Sequence, residues 1–582
     1  MHSDAERKWG KGLVVALLSL MTLMSLTACA GMGGGNPDPR ESSGSIYGDL
    51  LVARIAGGER DAEIAASRYA AAVRADPGNA DLIERAFLYS LSAGDTAAAY
   101  AYADELVAKG SDAPLPRLAR GVRDINEARY DSAAAEFAAA GNGTASSFTA
   151  SVLSAWALAG KKDWDGALKL LDEAPGREKN RQFVNYHRGL IRAQAGRWDA
   201  AGKAFAEALE GERPNPRIIE AELAVLCAMG RMEGARDILA SAGADTGSPL
   251  LEAARARLNA GKPVPLPAAT AREGLAEALY GLAGAAVQDR GIDLPILSLR
   301  LAIDARPDFD VGLTFLAELY EAAEKWDLAQ GAYRRIGRDS PFYENAQIAI
   351  ARLLDEEDKT DEAIETLDAL AAKAKDGFNV RVAKGDVLRK RERWAQAATA
   401  YAEALADLKA PERRHWVVYY MHGITLERSK KWDEAERQLQ TALKLEPDQP
   451  LVLNYLGYTW IEHGVRLDEA MAMIERAVEL RPTDGYIIDS LGWAHYRLGN
   501  YKKAVEYIEQ AVLLQPGDPT INDHLGDAYW KVGRQREARF QWRHALTFKP
   551  EDDQVPLIRD KLENGLDRAT VAREARDEGP AR

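Results

Sequence analysis

The chain has 582 residues, 47% of them hydrophobic, and a formal net charge of −14. That length allows several ordinary domains or one long array, and the acidic balance argues against nucleic acid or an anionic membrane surface, both of which would repel it. Only two cysteines occur, Cys29 and Cys227.

Arg7, Lys8 and Lys11 precede the apolar run LVVALLSLMTLMSL, and the small residues Thr27 and Ala28 follow it. This is a secretory signal layout. The run falls short of the about 20 residues a helical membrane span needs, so residues 1–28 are expected to be removed. They carry a net +1, which leaves −15 on the remainder. Leu26, Thr27, Ala28 and Cys29 resemble the bacterial lipobox, and the resemblance implies lipidation of Cys29, which then becomes the N-terminus. Each buried methylene contributes roughly 0.8 kcal/mol, so one acyl chain holds weakly and two or three hold firmly. Ala30 stands where inner-membrane lipoproteins of this type carry Asp, which implies lipid anchoring at the periplasmic face of the outer membrane. Residues 29–45 contain GMGGGNPDPRESSGS, the composition of a flexible tether. Acylation of Cys29 would leave Cys227, within LAVLCAMG, without a disulfide partner and best read as a small buried hydrophobe.

Beyond the tether the sequence repeats. LGYTWIEHGVRLDEAMAMIERAVELRP from Leu456, LGWAHYRLGNYKKAVEYIEQAVLLQP from Leu491 and LGDAYWKVGRQREARFQWRHALTFKP from Leu525 align. Ala470, Ala504 and Ala538 fall 34 apart, as do Ala477, Ala511 and Ala545, and Pro482, Pro516 and Pro550. These stretches resemble the tetratricopeptide repeat, a helix-turn-helix unit. Gly457, Gly492 and Gly526 are the places where helix A must approach helix B closely, and the prolines end helix B. A weaker frame places the first alanine of helix B at Ala65, Ala98, Ala133, Ala167, Ala201, Ala235, Ala329, Ala363, Ala397 and Ala435. The proline-rich GKPVPLPAATA, residues 261–271, interrupts it, and RLAIDARP, with Ala302 and Pro307, reads as the end of another helix B.

The predicted fold class is therefore an all-α tetratricopeptide-repeat superhelical solenoid of about thirteen helix pairs plus a degenerate one, with a C-terminal capping helix. Its parts are a leader (1–28), a tether (29–45), an N-terminal array (46–246), an irregular helical segment with the proline-rich break (247–291), a C-terminal array (292–550), and a capping helix with a charged tail (551–582).

Chemistry is scarce. No phosphate-binding GxxxxGK[ST], HExxH or paired CxxC occurs, so no enzyme, cofactor or metal is expected. His415 and His422 lack neighbouring ligands and read as tolerated histidines. Trp164, Trp198, Trp326, Trp394 and Trp432 stand three residues before the helix B alanine, as do Tyr130 and Tyr501. They are expected to be buried in the inter-helix turn, and Trp460 and Trp542 to face the core. In the repeat family, positions one, four and five after Leu-Gly line the inner groove. The resemblance places Tyr458 and Ile461; Trp493, Tyr496 and Arg497; and Asp527, Trp530 and Lys531 there, as a protein-binding wall. Some family members clamp C-terminal carboxylates with Lys, Asn and Arg; at the corresponding positions this chain has Asn454, Asp489 and Asp523 with Tyr458, Trp493 and Asp527, so that ligand is disfavoured.

The whole layout resembles lipoprotein adaptors that bind a periplasmic carboxyl-terminal processing protease and bring it cell-wall hydrolases. That implies protein partners, and the membrane through acyl chains only. Two alternatives remain: a structural component of an envelope assembly, such as polysaccharide export or outer-membrane protein insertion, and a regulator of a peptidoglycan enzyme.

Overall fold

The structure is a computed structural model that describes residues 45–567 apart from 142–143, 212–214, 242–246 and 375–376. The leader, Cys29, the tether up to Gly44 and the tail beyond Asp567 lie outside the described residues.

The repeat is set by its turns. A single residue with positive φ joins helix A to helix B, at Arg60, Gly94, Ala128, Lys162, Gly196 and Gly230, each 34 residues after the last, and again at Glu324, Asp358, Glu392, Lys430, Gly499 and Gly533. At each turn the next amide donates to the carbonyl five residues back, as Asp95 does to Ser90 and Arg534 to Tyr529, which satisfies carbonyls at the end of helix A. Five residues after the left-handed residue comes a fully buried alanine: Ala65, Ala99, Ala133, Ala167, Ala201, Ala235, Ala329, Ala363, Ala397, Ala435, Ala504 and Ala538. The frame therefore passes through Ala99 and not Ala98, which is only half-buried, so the expected 33- and 35-residue intervals become two of 34. Ala470 comes six residues after Gly464 because this turn carries an extra residue, with a second positive φ at Arg466.

The chain divides into two compact units, up to Tyr343 and from Glu344 onward. In the first, helices alternate A and B as α1 (Ile46–Gly58), α2 (Ala62–Ala75), α3 (Ala80–Ala93), α4 (Thr96–Ala108), α5 (Pro114–Asn126), α6 (Tyr130–Ala139), α7 (Thr144–Gly160), α8 (Trp164–Asp172), α9 (Arg181–Gln194), α10 (Trp198–Leu209), α11 (Pro216–Ala228) and α12 (Met232–Ser241). A lone α13 (Pro249–Asn259) follows, then α14 (Ala271–Arg290) with α15 (Asp293–Ala305), and α16 (Asp310–Ala322) with α17 (Trp326–Arg334). The proline-rich break is ordered within this unit. Val264 and Ala268 are buried, and Arg306 and Gln194 donate to the carbonyls of Pro267 and Ala268 at 2.9 and 3.1 Å. A Thr270–Glu273 capping box starts α14.

This pair departs from nearest-neighbour stacking. Helices α14 and α15 pack back onto α3, α5, α7 and α9. Tyr100 and Asn126 both donate to Asp304, the latter at 2.8 Å, and Arg300 donates to the Ser92 carbonyl at 3.0 Å. Arg217 binds Glu277 and Glu220 in a buried cluster with Tyr186, whose hydroxyl donates to Glu277 at 3.0 Å. Cys227 is half-buried, 3.5 Å from the Val264 amide, not fully buried as expected.

The second unit runs α18 (Tyr343–Glu356), α19 (Thr360–Ala371), α20 (Phe378–Lys390), α21 (Trp394–Ala406), α22 (Trp416–Arg428), α23 (Trp432–Leu445), α24 (Pro450–His463), α25 (Leu467–Leu480), α26 (Gly485–Arg497), α27 (Tyr501–Leu514), α28 (Pro519–Lys531), α29 (Gln535–Thr547) and a terminal α30 (Gln554–Asn564). The glycines of helix A do what their spacing predicts. A methyl group at Gly492 would lie 2.5 Å from Ile508 Cγ1, at Gly457 2.8 Å from Ile474 Cγ1, and at Gly526 2.4 Å from Trp542 Nε1. The partner stands four residues after the helix B alanine each time, as Phe137, Phe205 and Tyr401 do against Gly121, Gly189 and Gly385.

The aromatics that open helix B are half-buried, contrary to expectation, Trp164 and Trp198 included. At the first helical position, three residues ahead of the buried alanine, they lean on the end of the next helix A. Tyr130 lies against Gly160, the Arg428 guanidinium sits 5.4 Å from the Trp394 ring, and Trp432 stacks on His463 at 4.9 Å. Trp156, Trp460 and Trp542 are the fully buried tryptophans among the described residues. No helix among these residues is long and apolar enough to cross a membrane.

Candidate functional site

The wall expected from the repeat frame assembles on α24, α26 and α28. Leu491 and Gly492 turn the core face of α26 toward α27, and the helical period then brings Trp493, Tyr496 and Arg497 to the other side. Trp493 stacks on Tyr496, 4.6 Å between centroids, and on His524 of the next helix A, at 3.9 Å. Its indole donates to Glu462 Oε1 at 2.6 Å, and Arg497 donates to the same carboxylate at 2.7 Å and to the Glu462 carbonyl at 3.1 Å. Trp493, Tyr496 and Tyr458 are half-buried and Arg497 is exposed. Burial, followed by Glu462 and Asp489, pushes the Tyr458 hydroxyl well above its ordinary pKa. Ile461, placed on the wall by the sequence, is buried at 1% exposure and belongs to the core.

One repeat further on, the wall is occupied. Lys561 of α30 reaches between Asp523 and Asp527, donating at 2.7 and 2.8 Å, and Asp527 also accepts from Trp542 Nε1 at 2.9 Å. Asp567 accepts from Lys531 at 2.7 Å and from Trp530 Nε1 at 3.1 Å, and Trp530 packs on Gly565. Asp527 is thus buried and engaged by its own chain, and Trp530 and Lys531 are held by the segment that follows α30. Burial, with Asp523 beside it, raises the Asp527 carboxyl to about 6 despite Lys561.

Asn454, Asp489 and Asp523, one per repeat, each keep a buried side-chain oxygen with no hydrogen-bond partner. Asp489 pairs with His524, Oδ2 to Nδ1 2.9 Å. Burial pulls the His524 imidazole down, but Asp489, with Asp523 and Asp527, carries it above its ordinary value.

His415 and His422, both outside the wall, are structural. His415 accepts from the Glu412 amide at 2.8 Å, and His422 is buried, which lowers it to about 4. Cys29, the expected lipidation site, lies outside the described residues.

Models of the tetratricopeptide repeat-like domain and of the tetratricopeptide repeat match residues 314–422, 420–485 and 487–518. With the helix order above, they show an all-α tetratricopeptide-repeat fold, whose repeats generally mediate protein–protein interaction. No curated protein matches the sequence. Among solved structures, the chain resembles the APC/C hetero-tetramer Cut9–Hcn1, at 18% identity and a TM-score of 0.36, over 90% of this chain and 97% of that one. It also resembles yeast Tom70, at 14% identity and a TM-score of 0.33, over 80% and 97%, and MamA AMB-1, at 23% identity and 0.25, over 29% and 96%.

Proposed function

We propose that this chain is a non-catalytic protein-binding scaffold. It is held at the periplasmic face of the outer membrane by acyl chains on Cys29, and it delivers cell-wall hydrolases to a carboxyl-terminal processing protease. The observation that carries the binding half is the seat of α30: the wall at Asp523, Asp527, Trp530 and Lys531 already holds a helix and its following turn. The two preceding repeats offer a similar set at Tyr458, Trp493, Tyr496 and Arg497, of which Tyr496 packs against the cluster that includes Leu566 and Arg497 is exposed. A partner segment docked there is the intermolecular counterpart of α30. The delivery half rests on the lipobox resemblance and on the effective concentration that two proteins gain on one scaffold.

The test is affinity purification of the full chain from crosslinked envelopes, beside a Cys29→Ser variant. The proposal expects a processing protease and a cell-wall hydrolase to co-purify, and the variant to leave the outer-membrane fraction. Export or outer-membrane assembly components in their place would support the structural alternative. A variant that still labels with palmitate would remove the anchor.

A further inference from the structure

A cavity of about 490 Å³ opens in the first unit, lined by Tyr280, Gly284, Val311, Phe315, Glu318 and Phe342. Val311, Thr314, Phe315 and Glu318 follow the i, i+3, i+4, i+7 spacing of one face of α16. Tyr280 meets Phe315 edge to face at 5.7 Å, and it meets the buried Phe309 in the same way at 5.7 Å. Aromatic walls of this kind offer their negative faces to a cation.

The charge in the cavity has the matching sign. Glu318 forms no ion pair or hydrogen bond among the described residues, and the charged group that acts on it is Glu321, of like sign. The nearby arginine, Arg217, is committed to Glu277 and Glu220. The Tyr280 hydroxyl also has no hydrogen-bond partner among the described residues. The Glu318 carboxylate is solvent-exposed and lines the cavity beside the aromatic rings, with no counter-ion of its own. Partial desolvation by the residues around it, followed by Glu321, raises the Glu318 pKa. Gly284 is exposed, and a side chain there would meet nothing within 4 Å.

We propose that this cavity is a binding site for an organic cation, an alkylammonium or guanidinium group held over Tyr280, Phe315 and Phe342 with its charge on Glu318. The group can arrive as a free small molecule or as a lysine or arginine side chain of a bound polypeptide. The site is separate from the Trp493 wall and stands whether or not that wall binds a partner.

Calorimetric titration of the full chain separates the two sources, using choline and butylguanidinium as free cations and N-acetyl-lysine methylamide and N-acetyl-arginine methylamide as polypeptide-borne ones. Saturable binding of at least one of them is expected, and none by 3,3-dimethylbutanol, the neutral counterpart of choline. Glu318→Gln should weaken it on the order of tenfold. Gly284→Leu should abolish it by filling the cavity while the thermal melt stays at or above that of the parent, because a helical glycine with open space around it gains from a side chain. Binding by the free cations alone assigns a small-molecule site, and binding by either residue amide a side-chain site. Absence of saturable binding by all four, equal binding of the neutral compound, or undiminished binding in Gly284→Leu would overturn the proposal.

Discussion

Lys561 on the terminal helix donates to Asp527, 2.8 Å away on α28, and to Asp523 at 2.7 Å, so two buried carboxylates of the last repeat depend on one ammonium. The capping helix therefore closes the array by charge as well as by its one fully buried apolar residue, Ile558. Lys561→Met should cost about 3 to 5 kcal/mol, since it strands buried charge. Hydrogen exchange should show the loss confined to α28, α29 and α30. An unchanged urea midpoint would mean that the helix is held by Ile558 and Leu566 alone.

Asp304 links segments some 200 residues apart by accepting from Tyr100 and Asn126. Asp304→Ala should cost about 1 to 3 kcal/mol, because it leaves two part-buried donors unmatched. Exchange protection should fall on α4 and α5 as well as on α15. Loss restricted to α15 and its sequence neighbours would mean that the first unit opens repeat by repeat, as an ideal solenoid does.

The close approach of α26 and α27 depends on Gly492. Gly492→Ala should destabilise the second unit by about 1 to 3 kcal/mol through overpacking against Ile508. Gly331→Ala, in α17 with open space around it, should stabilise by roughly 0.5 to 1 kcal/mol. Chemical denaturation of both variants checks the opposite signs.

Protonation acts oppositely on two histidines of the second unit. His524 is held above its ordinary value in the folded chain, so its stabilising contribution is full below about 6.5 and is lost as pH rises through the folded pKa. Asp527, raised to about 6, adds to the same trend, favouring the folded state less as pH climbs from about 4 to 6. His422 is lowered to about 4 and destabilises as pH falls from about 6.5 toward that value. Between pH 7.5 and 5.5, α28 should gain exchange protection while α22 loses it. A parallel change in both helices would contradict these assignments.

Much of this architecture is legible in the sequence, because a 34-residue period of small residues has one physical use: to bring two helices close. The close approach at Gly492 and the recurrence of small buried alanines follow from spacing, whereas Ile508 as the partner at Gly492 comes from the structure. Ala97, Ala98 and Ala99 follow one another in α4, so composition alone does not set the phase there. The turn sets it, but its left-handed residue is a glycine in some repeats and Lys162, Glu324 or Asp358 in others, so no residue type marks it. The return of α14 and α15 onto earlier helices was not legible, since Asp304 and Tyr100 lie 204 positions apart and share no pattern. The wall at Trp493 and Tyr496 could be placed from the frame, whereas the occupation of Asp527 by Lys561 could not: a charge on an amphipathic terminal helix carries no mark of its partner.

The central claim is that Trp493 and its neighbours form a wall that binds protein, distinct from the core that Trp542 fills. The most direct measurement sets a pull-down beside a thermal melt for Trp493→Ala and Trp542→Ala. Trp493→Ala should weaken partner binding by about 2 kcal/mol or more at an unchanged melt. Trp542→Ala, at a fully buried site, should lose on the order of 3 to 5 kcal/mol of stability. If Trp493→Ala melts early and still captures its partners in full, the ring serves the packing of α26 on α28, and the wall is not where this protein binds.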